Sequence, residues 1–315
     1  MRALVGINIT SPYQLLSFIS YYEENKAKYS KFIIFKYDYW GHNQIYKRYL
    51  DYFIKIGGEI IENITNLNSI INYLNHEINQ FNFDFISVNQ PLIQLKYRFK
   101  KSNLIVISDG LGYYGDYSSL ISSLKRERRS FISQWSLSTI KIKYLLKKIL
   151  FKTIKFEEYT LLRYSDLSPN KNFIDNFKNT VLKLNGNSHI ETPSLVFLDQ
   201  PLVELGFLSE NEYSLLIRSI YNYSKSLGLN FFIKMHPSSV KESAEYNTLK
   251  FDGILEELCI LNKNIKHVIS YSSTGLFNIL YLSDDIKVEK VNSDAVMSKK
   301  QNKIFEKIHC FTPKY

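Results

Sequence analysis

Short apolar runs recur along the chain, separated by stretches whose apolar positions fall every third or fourth residue. In the first half, Ala3–Ile7 (ALVGI), Lys31–Tyr37 (KFIIFKY), Phe83–Val88 and Leu104–Ser108 read as strands. None alternates cleanly between apolar and polar, which is the pattern of strands covered on both faces in a parallel sheet. Between them, Pro12–Tyr22 and Asn43–Lys55 carry helical spacing, with Ser11 as N-cap and Pro12 at the first helical position. The rhythm resumes after the turn-rich Asn185-Gly186-Asn187. Ser194–Leu198 (SLVFL), Leu229–Lys234 (LNFFIK) and Ile265–Ser270 (IKHVIS) read as strands, and Glu210–Leu227 as an amphipathic helix capped by Ser209. Strands alternating with helices predict an α/β protein with parallel sheets, in two halves at residues 1–185 and 186–315. No repeat of solenoid length interrupts this order.

Length and composition fit that picture. A chain of 315 residues, 45% hydrophobic and 22% charged, can bury a core in each half and is not disordered. Cys259 and Cys310 lie far apart with no CxxC or Cys/His spacing, so neither a disulfide framework nor a zinc site is expected, and a reducing cytoplasm fits. The start MRALVGINIT turns polar too soon for a signal peptide, and no run approaches the roughly 18 uninterrupted apolar residues of a spanning helix.

Charge changes the picture more. The net charge is +10, and residues 125–155 carry most of it: four basic residues at 125–129 and six from Lys141 to Lys155, against the single acid Glu127. The same segment holds Trp135 and apolar residues near helical spacing. This predicts a basic helical insertion in the first domain, which suits either an anionic lipid surface or a solvated helix packed on its own domain. No zinc-finger, RNP-like or helix-turn-helix signal accompanies it, so nucleic acid is not an expected partner.

In open α/β sheets ligands bind at the carboxyl ends of strands, and three polar clusters stand there. Ser108-Asp109-Gly110-Leu111-Gly112 follows the strand LIVI. Asp109 there is either a general base toward a hydroxyl or a residue capping the turn, and Gly110 lets the backbone turn tightly. The run GLGYYG matches GxGxxG, but a basic segment follows where a dinucleotide fold needs a strand ending in an acid. Lys234-Met235-His236-Pro237 follows LNFFI, and Pro237 holds His236 extended at the sheet edge, where imidazole can bond a phosphate oxygen. Ser272-Ser273-Thr274-Gly275 stands between a strand and a helix, as either an N-cap cluster or an anion site.

The order Asp-Gly, His-Pro, Ser-Ser/Thr resembles the signature of bacterial sialyltransferases of the GT-B fold, which include lipooligosaccharide and capsular sialyltransferases and the bacterial polysialyltransferases. Asn8–Leu16 (NITSPYQLL) is similar to their amino-terminal SP-x-QLL start, and Asp199-Gln200-Pro201-Leu202 with Gly206–Glu210 to the start of their nucleotide domain. The resemblance implies two Rossmann-like domains facing across a crevice and inverting transfer of sialic acid from CMP-sialic acid to a glycan hydroxyl, with galactose the expected acceptor. The alternatives are repeated sialyl addition, a GT-B transferase using CMP-Kdo or a hexose donor, or a non-catalytic glycan- or membrane-binding protein. It implies Asp109 as general base, and His236 as the residue that contacts the CMP phosphate and assists its departure. Ser272 and Ser273, with Thr274 beside them, would bind that phosphate, and Glu256, or its neighbour Glu257, would hold the ribose. Lys234, Pro237 and Gly110 are expected around the donor, and Asn8, Ser11 and Gln14 on the acceptor side. No cofactor or metal is implied, since no DxD-like motif is present. Two acids often precede the glycine in this family, and here the first is Ser108.

Overall fold

The computed structural model describes residues 1–35, 44–62, 64, 66–77, 79–119, 121, 134–184, 186, 190–204, 206–235, 245–271, 273–291 and 298–314. The chain divides into two compact units. Unit 1 is Met1–Tyr114 with Ser133–Leu184, and unit 2 is Gly115–Ile132 with Asn185–Tyr315. Both are mixed α/β, and every strand pairing within their sheets is parallel.

Unit 1 contains strands β1 (Arg2–Ile7), β2 (Lys31–Phe35), β3 (Glu59–Ile61), β4 (Asn82–Val88), β5 (Leu104–Ile107) and β6 (Glu157–Glu158), in the spatial order β3-β2-β1-β4-β5-β6. Its helices are α1 (Pro12–Asn25), α2 (Gln44–Lys55), α3 (Leu67–Glu77), α4 (Ile93–Arg98), α5 (Gln134–Thr153) and α6 (Lys171–Lys183). The central strands are buried almost throughout because helices cover both faces. Ile70 and Leu74 of α3 and Leu95 of α4 join Val5, Ile7, Phe83 and Phe85 in one cluster. α1 is buried on nearly every side, packed against α2 and α6. Gly6 permits this closeness, since a β-carbon there would stand 2.9 Å from the Phe18 ring.

Unit 2 contains β7 (Ser194–Leu198), β8 (Asn230–Lys234), β9 (Ile265–Ser270), β10 (Lys287–Val291) and β11 (His309–Phe311), ordered β11-β10-β9-β7-β8. Its helices are α7 (Glu210–Ser226), α8 (Leu255–Leu261), α9 (Thr274–Leu282) and α10 (Lys299–Phe305). Leu216, Ile217 and Ile220 of α7 pack on Leu195, Phe197, Phe231 and Ile233, while α9 packs against β9, β10 and α8.

Both sheets are doubly wound, so each is a Rossmann-like unit. In unit 1 the chain reverses direction across the sheet between β1 and β4, and in unit 2 between β7 and β9. Those two switch points are where the fold leaves room for a ligand beyond the strand ends. Ser11 and Ser209 cap α1 and α7 as the sequence predicts, each within a reciprocal capping box. The run GLGYYG does not open a helix: Leu111–Tyr114 is a short 3-10 turn. No helix is long and apolar enough to cross a membrane among the described residues.

Candidate functional site

At the unit 1 switch point, the residues after β1 and β4 are both asparagines with left-handed backbones, Asn8 at φ 59° and Asn89 at φ 63°. Asparagine is one of the few side chains that tolerate this region, and its presence at both ends marks them as built turns. Asn89 spans to the end of β5. Its N–H donates to the Ile107 carbonyl at 2.8 Å, and its Oδ1 accepts the Asp109 N–H at 3.0 Å. The side chain thus continues the β4–β5 ladder one step past the strands and fixes the backbone from which the Asp109 carboxylate projects.

That carboxylate is exposed at the carboxyl edge and lies over Gly112, where a β-carbon would stand 3.0 Å from each of its oxygens. Gly110, at φ 99°, makes the turn between them. Two tyrosines pin the same turn from below. The buried Tyr113 hydroxyl donates to Glu158 Oε1 at 2.6 Å, and the Tyr114 hydroxyl donates to the Leu162 carbonyl at 2.7 Å. Burial, reinforced by the Glu158 carboxylate, raises the Tyr113 pKa far above its ordinary value, so this hydroxyl stays a donor. The other residues expected on the acceptor side divide. Asn8 is exposed at the edge, whereas Ser11 and Gln14 form the α1 capping box, with Gln14 Oε1 accepting the Thr10 N–H at 2.8 Å.

At the unit 2 switch point, Ser270 Oγ donates to the Leu198 carbonyl at 2.9 Å and lies 3.4 Å from Gln200 Oε1, tying the ends of β7 and β9 together. Ser273 caps α9, with Oγ accepting the Gly275 N–H at 3.1 Å, and Thr274 is the first residue of the helix. Ser273 also takes the Leu276 N–H on its carbonyl at 3.2 Å, so this residue closes the first turn with both its side chain and its backbone. Ser272, His236 and Pro237 lie outside the described residues.

Lys234 ends β8 and is buried, its ammonium donating to the Phe251 carbonyl at 3.2 Å. Burial lowers its pKa, opposed first by the charge of Glu256. Glu256, in the first turn of α8, is buried as well, and burial raises its pKa. Asn278 of α9 donates to its Oε1 at 2.6 Å. Glu257 is fully buried and folds over Gly253, where a β-carbon would meet its Oε2 at 2.5 Å. Lys234, Glu256 and Asn278 therefore form one buried polar cluster behind the strand ends. The Asn278 Oδ1 has no hydrogen-bond partner.

Three residues with positions at these edges carried no chemical reading in the sequence: Asn89, Gln200 and Asn278. Asn278 had one available signal, a lone amide in the otherwise apolar helix TGLFNILYL. Asn89 and Gln200 follow their strands as ordinary turn residues do.

Residues 7–292 match the profile of the family described as alpha-2,8-polysialyltransferase (POLYST). No curated protein matches the chain in sequence. Similar solved structures include the α/β-galactoside α-2,3-sialyltransferase of the luminous marine bacterium Photobacterium phosphoreum, at 12% identity and TM-score 0.49 over 99% of this chain and 97% of that one. UGT71G1 of Medicago truncatula, complexed with UDP-glucose, is similar at 13% identity and TM-score 0.47 over 98% and 90% of the two chains. MurG of Acinetobacter baumannii is similar at 7% identity and TM-score 0.46 over 99% and 86%.

Proposed function

Because the chain belongs to the alpha-2,8-polysialyltransferase family and is thus a sialyltransferase-type glycosyltransferase, we propose that it uses CMP-sialic acid as donor and extends a surface glycan at a terminal sialyl residue. The family's α-2,8 designation favours the 8-hydroxyl of that residue over the galactose hydroxyl expected from the sequence motifs.

In the proposed reaction the acceptor hydroxyl attacks C2 of the donor sialic acid. A C2–O bond forms, the bond from C2 to the phosphate oxygen of CMP breaks, and the hydroxyl proton passes to Asp109. Attack opposite the leaving group inverts C2. Unit 1 supplies the base, and Asn89 and Tyr113 hold its turn. Unit 2 supplies the donor elements: the α9 start with Ser272, Ser273 and Thr274 for the phosphate, and His236, positioned by Pro237, for its departure. Glu256 would take the ribose, with Lys234 and Asn278 setting its charge and orientation. Electrostatic stabilisation by fixed donors is the main demand of such a step, since CMP leaves readily. No divalent ion is assigned a part in it.

The observation that carries this reading is the exposed Asp109 carboxylate, held on a glycine turn at the carboxyl edge of a doubly wound sheet in a chain of this family. The test is a donor and acceptor panel: CMP-sialic acid, CMP-Kdo and UDP-hexoses, each with oligosialyl and galactose-terminated acceptors. Turnover only with CMP-sialic acid and an oligosialyl acceptor is expected. Turnover confined to a galactose-terminated acceptor would restore the galactose assignment, and turnover with another donor alone would refute the donor assignment.

A further inference from the structure

Helix α5 exposes an apolar stripe that sets it apart from the rest of the surface. Ile142, Leu145, Leu146 and Ile149 are 58, 49, 51 and 55% exposed. Their spacing of i, i+3, i+4 and i+7 places all four on one helical face. The other large apolar side chains that reach the surface, such as Ile54 in α2, Tyr97 in α4 and Leu182 in α6, stand singly, as they do on ordinary soluble proteins. These four side chains therefore present a continuous apolar surface to solvent, whatever the opposite face of the helix packs on.

The charges around the stripe identify what covers it. The helix contains Lys141, Lys143, Lys147, Lys148 and Lys152 and no acidic residue. At about 100° per residue, positions 141, 148 and 152 fall on one flank of the stripe and positions 143 and 147 on the other. A second copy of this chain packed on the same face would bring ten lysines together with no carboxylate from either helix to offset them. A polyanionic sugar would use the lysines and leave four aliphatic side chains in water. A bilayer with anionic headgroups satisfies both features at once: the stripe enters the acyl boundary, and the flanking ammonium groups reach lipid phosphates.

We infer that α5 is an in-plane anchor that seats the protein on an anionic phospholipid surface. The inference is independent of the donor and acceptor chemistry. Electrostatic attraction contributes about a fivefold gain in partition per lysine near such a surface and weakens with salt. The aliphatic stripe supplies the part of binding that salt does not remove.

The experiment is co-sedimentation of the full chain with vesicles of phosphatidylcholine alone and of equal parts phosphatidylcholine and phosphatidylglycerol, at low and high salt. Two variants accompany the wild type, Leu145→Ser/Leu146→Ser and Lys141→Gln/Lys143→Gln, with light scattering for oligomeric state. The wild type is expected to partition at least about tenfold better into the anionic vesicles. The serine variant should lose about tenfold at both salt concentrations, and the glutamine variant should lose binding mainly at low salt. CMP release in vesicle-free solution should be unchanged in both. Equal partition of wild type and serine variant would overturn the inference. So would wild-type binding that ignores headgroup charge, or a wild-type dimer that the serine variant converts to monomers.

Discussion

Asp109 and Asn89 form the smallest unit of the account. Asn89 occupies a left-handed backbone position and holds the Asp109 N–H with its side chain, so under the proposed mechanism it would act only by positioning Asp109. Asn89→Ala should lower the acceptor-dependent rate by about 10- to 100-fold, since small displacements of a reacting group cost that much. The donor KM should stay the same, and steady-state kinetics on a folded variant separates the two parameters. Asp109→Asn keeps the shape and removes the base, so the rate should fall by about 100-fold or more with CMP affinity unchanged. Calorimetry with CMP alongside turnover checks both halves of that statement. The serine that replaces the first acid of the family pattern is explained at this scale too. Ser108 is 2% exposed and its hydroxyl has no hydrogen-bond partner, whereas Asp109 beside it is exposed. A carboxylate there would be buried without a partner, at a cost of several kcal/mol on the order of that for other unpaired buried charges.

At the scale of elements, the strands that cross the middle of each sheet were legible because burial on both faces demands continuous apolar runs. ALVGI, LIVI, SLVFL and IKHVIS all stand where the pattern put them, and Ser11 and Ser209 capped their helices as predicted. Of the four edge strands only β8, read from LNFFIK, was legible, and the other three were not. β6 is Glu157-Glu158, β3 has three half-buried residues and β11 has one buried residue of three, so none presents a core pattern. The carboxyl-edge motifs were visible as residues, but the partners that hold them were not: Asn89 is 20 residues from Asp109 and Asn278 is 22 from Glu256, and only the folded sheet brings each pair together.

One buried pair between β9 and β10 gives a pH dependence. His267 Nε2 lies 2.8 Å from Glu289 Oε2, and Lys287 Nζ lies 2.7 Å from its other oxygen. Burial alone would raise the Glu289 pKa, but the adjacent His267 imidazole and Lys287 ammonium outweigh it and hold the carboxyl at about 2, below its ordinary 4.5. A carboxyl depressed by folding takes its proton first in the unfolded chain. Its contribution is therefore complete above pH 4.5 and is lost as pH falls from there toward 2. Urea midpoints measured across that window should decline in the wild type and decline less in Glu289→Gln.

For the whole molecule, the proposed roles fall on different units, with the base assigned to unit 1 and the donor elements to unit 2. CMP should consequently protect unit 2 selectively. Hydrogen exchange with and without CMP should slow at the amides of 273–279 and around Lys234, while the Asp109 turn stays unchanged. Equal protection of both turns would contradict this division. The strand–helix rhythm of the sequence predicts two halves, and the chain divides into two compact units with Gly115–Ile132 grouped with the second. The sequence left the fate of the basic segment undecided, because helical spacing does not say which side of a helix the fold leaves bare.

The most direct test of the central claim is CMP release from CMP-sialic acid with and without an oligosialyl acceptor, comparing wild type with Asp109→Asn and following product length by chromatography. The account predicts release that depends on the acceptor, products longer by added sialyl residues, and loss of both in the variant while CMP still binds. Full acceptor-dependent release by Asp109→Asn would contradict it, because the carboxylate at the end of β5 would then have no part in the transfer.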